Sequence, residues 1–111
     1  MQRQDAKSLA LFRAIEAKIS DSDDPQMYLR RARDWAAHFS AERPEDIWLA
    51  EWVVRLDAAL ISEESLIGLY SLMLSLDQHA IDMRASSPFP GVLTQKERTA
   101  ALRAFETDWA A

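Results

Sequence analysis

Apolar positions recur along most of this chain at the three- and four-residue spacing of an α-helix, without the sustained alternation that marks a strand. Near the start, Leu9, Phe12, Ile15 and Ile19, with Leu11, gather on one side and predict a first helix from about Ala6 to Ile19. The stretch SDSDDP breaks it. Asp24 before Pro25 is a start signal, because the carboxylate accepts from free N–H groups and proline tolerates the first turn. The second helix, Pro25 to about Phe39, sets Tyr28, Leu29, Ala32, Trp35, Ala36 and Phe39 on an arc of roughly 120°. Arg30, Arg31, Arg33 and Asp34 take its other side, as on any half-buried surface helix.

The third helix is expected from Pro44 to about Ile61, with Glu45 and Asp46 suited to its positive N-terminal end. Within residues 47–61 only Glu51, Arg55 and Asp57 are polar, and Glu51 and Arg55 are spaced to pair along one narrow wedge. Trp48, Trp52, Leu56, Ala59 and Leu60 fill one broad side; Ile47, Val54, Ala58 and Ile61 take the other. A helix apolar on two sides needs cover on both, so it is either central or an oligomer contact.

Ser62 reads as the N-cap of a fourth helix, with Ile61 placed to staple against Leu66. Taken as continuous to about Arg84, this helix carries Leu66, Leu69, Tyr70, Leu72, Met73, Leu76, Ala80 and Met83 on one arc. Ile67, Leu74 and Ile81 widen that arc to about 220°, well beyond the stripe of an ordinary surface helix. In SSPFPGVL the prolines stop the helix and Gly91 permits a tight turn. Phe89, stiffened between two prolines, is either a plug for the bundle or a contact offered to a partner. Thr94 and Glu97 form a capping box for a fifth helix, about Gln95 to Trp109, which shows Ala101, Leu102, Phe105 and Trp109. The expectation is an all-α single domain of 111 residues, a bundle of five helices with the third and fourth as its apolar centre.

Composition narrows the chemistry. There are no cysteines, which removes disulfides, thiolate metal sites and cysteine nucleophiles and suits a cytoplasmic protein. The opening MQRQDAKSLALF is amphipathic rather than leader-like, and no apolar run approaches a membrane span. The net charge is −5, and residues 44–85 hold 2 Lys/Arg against 8 Asp/Glu, so the excess is central. That balance disfavours binding through phosphate neutralisation, and the third helix has almost no polar face with which to read bases. His38 has Asp34 and Glu42 four residues to either side, and His79 has Asp82 and Met83 close behind it, but neither forms the Glu-x-x-His motif of bundle metal sites. No nucleophile motif or glycine-rich phosphate loop occurs, so no cofactor and no enzymatic activity is expected.

Asp77 stands out, because periodicity sets a carboxylate near the middle of the fourth helix's apolar arc. It needs an internal arginine such as Arg55, Arg84, Arg98 or Arg103, or a charge supplied across an interface. With catalytic motifs absent and apolar helix surface in surplus, the expected function is a module that binds and masks or regulates another protein, of adaptor, antagonist or anti-activator type, forming a homodimer. The candidate contact residues are Trp48, Trp52, Leu56, Leu69, Tyr70, Leu72, Met73, Leu76, Asp77 and Phe89. The competing expectations are a ligand pocket lined by tryptophans and methionines, and a nucleic-acid-binding regulator.

Overall fold

Side-chain caps decide where these helices begin. In the computed structural model, which describes residues 1–111, Asp24 accepts from the Met27 N–H at 3.3 Å, and Pro25 occupies the first turn behind it. Asp46 accepts from the N–H groups of Trp48 and Leu49 at 3.1 and 3.2 Å. Ser62 accepts from Ser65 at 3.3 Å, and Thr94 and Glu97 exchange the two bonds of a capping box. The resulting order is α1 (Arg3–Asp21), α2 (Pro25–Glu42), α3 (Ile47–Ile61), α4 (Glu63–Leu74), α5 (Gln78–Ala85) and α6 (Gln95–Ala110), with no strand. The all-α expectation holds, with six helices in place of five.

Two boundaries differ from the sequence reading in an instructive way. Pro44 and Glu45 form a turn rather than the first turn of α3, because Asp46 is the better cap and fixes the start at Ile47. The single fourth helix is in fact α4 and α5, separated by Ser75, Leu76 and Asp77. Ser75 and Asp77 both take extended backbone angles, with ψ of 149° and 163°. The Asp77 carboxylate accepts from the Ala80 N–H at 2.8 Å and from the Ser75 hydroxyl at 2.9 Å, while the Asp77 N–H donates back to the Ser75 oxygen at 3.2 Å. The break resets the helical phase. An arc that would be about 220° wide on one rod becomes two narrower faces on two short rods, which this chain covers except at Ile67 and Leu76, 61% and 66% exposed.

The interior joins α1 to α5 and the loop before α6. At its centre the Trp52 indole lies face-on to Phe12 at 6.1 Å and meets the edge of Phe89 at 5.5 Å, and Phe12 and Phe89 close the triangle at 5.7 Å. The indole N–H donates to the Met83 carbonyl at 2.8 Å, so the buried polar atom is satisfied. Gly91, at φ 82°, provides the positive-φ turn that brings the chain back towards α6.

Helix α6 docks on α1 through Phe105, which is buried, and through charged contacts at both ends. Arg3 pairs with Glu106 and lies over the Phe105 ring at 5.4 Å; Lys18 donates to Glu97 at 2.6 Å. The Lys18 ammonium, followed by the Thr94 N–H, holds the Glu97 carboxyl down at about 2, from an ordinary value of 4.5. A lowered folded-state value means the carboxylate stabilises the fold above pH 4.5 and loses that contribution as pH falls towards 2. Glu97→Gln is therefore expected to lower Tm at neutral pH and to flatten its decline on acidification through that window. Parallel Tm-against-pH curves for the two proteins would show that this link does not stabilise the fold.

Candidate protein-contact surface

The geometry of α3 sorts its apolar residues into an inner and an outer set. Leu49, Trp52, Leu56 and Ala59 are buried on one side. A turn of 100° per residue places Ile47, Ala50, Val54, Ala58 and Ile61 directly opposite them. That opposite side is uncovered: Ile47, Val54 and Ile61 are 63%, 68% and 88% exposed. Ala50 is exposed and Ala58 half-buried between them. Isolated exposed aliphatics are ordinary, but large ones aligned along one helix face form a stripe of the kind that marks a contact surface.

Ion pairs border the stripe. On the α2 side, the Arg33 guanidinium donates to Asp57 at 2.8 Å and lies 3.7 Å from Asp34. The hydrogen bond to Asp57 pushes the arginine above its usual range, so it stays charged. On the α5 side, the His79 imidazole donates to Glu51 at 2.6 Å, and Arg55 approaches the same carboxylate at 3.6 Å. The Trp48 ring meets the edge of His79 at 5.5 Å, so Trp48 seals α3 against α5. The Glu51–Arg55 pairing follows from their spacing in the sequence. The partnership of Glu51 with His79 does not, since the two residues lie 28 positions apart.

Most of the contact residues expected from the sequence lie inside the chain instead. Trp52, Leu56, Leu69, Leu72, Met73 and Phe89 are buried, packed among α1, α2, α4 and the proline loop. Trp48 and Tyr70 are half-buried against the same core. Burial, and secondarily Glu16 opposite, pushes the Tyr70 hydroxyl up, so it stays neutral. Leu76, at 66% exposure, lies in the α4–α5 link. Ile61 is too exposed to staple against Leu66. Trp52, Met73 and Met83 each have no exposed surface and pack as core.

Asp77 is not buried among the apolar residues: it is exposed as the N-cap of α5. The Ala80 N–H and then the Ser75 hydroxyl hold its carboxyl below the usual range. The buried charge is Arg84, at 2% exposure. Its Nη1 donates to the Met73 carbonyl at 3.2 Å and the Ser75 carbonyl at 2.7 Å, the oxygens that α4 leaves open where it ends. Desolvation lowers the Arg84 pKa, while Asp77 and Asp5 oppose the shift. Arg84 thus locks the α4–α5 break from the inside, and Asp77 caps it from the outside.

Elsewhere, an apolar groove of about 410 Å³ runs between α1 and α6, lined by Leu9, Phe105, Trp109 and alanines of both helices. No group of three or more His, Asp or Glu side chains is placed to hold a metal ion. No helix is long and apolar enough to cross a membrane. Comparison with known protein families, with curated proteins and with solved structures finds no match.

Proposed function

We propose that this chain is a small helical protein-binding module and that the outer face of α3 is its contact surface. The observation that carries this reading is the stripe of Ile47, Val54 and Ile61, exposed on a helix whose opposite side is fully packed. Such a face is costly to leave in water and is recovered by docking against another apolar surface, at roughly 25 cal/mol per Å² removed from water. The stripe has ion pairs along both edges and the acidic Glu45, Glu63 and Glu64 near its ends, an arrangement of apolar centre and polar rim that suits a protein interface. The sequence expectation of an adaptor or antagonist belongs to the same class of action, in which one surface covers another.

The test uses Val54→Glu and Ile61→Glu. Because both positions face solvent, each variant is expected to keep its Tm within about 3 °C of the parent, while association through the stripe is lost. Circular dichroism melts and a binding measurement made on the same samples separate the two effects. In samples dilute enough for the parent to be monomeric, a fall of more than about 10 °C would mean that the stripe is internal packing rather than a contact surface.

A further inference from the structure

The spacing of the stripe identifies an occupant. Ile47, Ala50, Val54, Ala58 and Ile61 are three, four, four and three residues apart, so the pattern reads the same in both directions from Val54. A two-fold axis perpendicular to the helix, passing beside Val54 and between two copies, pairs the stripe with itself with the chain direction reversed. Ile47 then meets Ile61 of the second copy, Ala50 meets Ala58, and Val54 meets Val54. Large side chains lie at the ends and centre, and small ones between let the two backbones approach.

We infer that the outer face of α3 pairs with a second copy of this chain as an antiparallel two-fold helix pair. This rests on the contact-surface reading above and names the partner. Closed two-fold pairing is the commonest way that identical chains associate, and it requires a self-complementary patch of this kind. The rim agrees in part. Glu51 and Arg55 lie on the same edge, and an antiparallel two-fold brings that edge beside its own copy. At about 1.5 Å of rise per residue, Arg55 falls within about 3 Å, along the axis, of Glu51 of the second copy. Reversed chain direction also opposes the two helix dipoles favourably. Against this, each chain carries −5 overall, so two copies repel. Exposed ion pairs such as Glu51–Arg55 are worth little, so screening the repulsion dominates and self-association tightens as salt is added.

The measurement is sedimentation equilibrium of the full chain from micromolar to near-millimolar concentration, at low and high sodium chloride. A monomer–dimer equilibrium that strengthens with salt is expected. Val54→Glu, which places two carboxylates side by side on the axis, is expected to weaken it by about a hundredfold or more. Because the chain has no cysteine, single substitutions report orientation cleanly. Ile47→Cys mixed with Ile61→Cys is expected to form a disulfide-linked dimer, whereas Ile47→Cys alone is not. A monomer at near-millimolar concentration, a dimer untouched by Val54→Glu, or efficient self-linking of Ile47→Cys overturns the inference. A synthetic leucine–alanine helix flanked by lysines tells its failure apart from that of the broader reading. If the chain stays monomeric but binds this peptide in a Val54-dependent way, the contact surface stands and the second copy does not. If it binds neither, both fall.

Discussion

Trp52→Ala is expected to destabilise the fold by about 3–5 kcal/mol, the range for removing a fully buried aromatic side chain. Trp52 has no exposed surface, and its ring is held between Phe12 and Phe89, so the walls of the cavity come from α1 and the proline loop as well as from α3. The Met83 carbonyl also loses one of its two donors, keeping the Ser86 N–H at 3.2 Å, which adds at most about 1 kcal/mol. Domains of this size have a total stability of about 5–15 kcal/mol, so the variant sits near the unfolding threshold. Its Tm should fall by roughly 15–30 °C. Trp52→Phe retains most of the ring and isolates the hydrogen bond, with an expected cost of about 1–2 kcal/mol. Trp48→Ala, half-buried beside His79, is the internal comparison and should cost clearly less. Urea unfolding monitored by far-UV circular dichroism ranks the three. Equal losses at Trp48 and Trp52 would mean that the aromatic centre is not where the core's packing energy is concentrated.

The helical class and three of the caps were legible because they are local. Asp24, Ser62 and Thr94 with Glu97 act through N–H groups within three residues, and each occurs where the sequence places it. The division of the fourth helix was not read, because one of its determinants is distant. Arg84 stabilises the end of α4 from α5, through carbonyls 9 and 11 residues back. A signal was nevertheless present. Asp77 looked misplaced on the apolar arc because the arc is not continuous there, and a Ser-x-Asp step on a helical wheel is better read as a cap than as a buried charge.

The candidate contact surface was legible in part for a similar reason. A helical wheel gives angles and not neighbours. It divided α3 into a tryptophan side and an isoleucine–valine side, but which of them α1, α2 and α4 cover is decided by long-range packing. The bulkier aromatic side became core, since large rings recover the most area when buried. That left the aliphatic side outside, so the residues most prominent in the sequence are not the ones available to a partner.

Phe89→Ala is expected to cost about 3–5 kcal/mol, and its size decides between the two roles that the sequence allowed for this side chain. As a contact offered to a partner, Phe89 would be dispensable to the isolated fold. At 2% exposure, against Phe12 and Trp52, it is instead the plug through which the proline loop closes the core. The backbone is shaped to deliver it: the Phe89 N–H donates to Ser87 Oγ at 3.2 Å, and its carbonyl accepts from Val92 at 3.3 Å just beyond the positive-φ Gly91. Loss of the ring removes the loop's anchor and leaves α6 held by its contacts with α1, chiefly Phe105 and the Arg3 and Lys18 ion pairs. Amide exchange should therefore accelerate through residues 86–94 and along α6 more than in α2, while Phe89→Leu recovers most of the stability by refilling the volume. A Phe89→Ala protein with unchanged Tm and unchanged exchange would return this residue to the role of an exposed contact. Fast exchange confined to the loop would instead show that α6 is anchored by α1 alone.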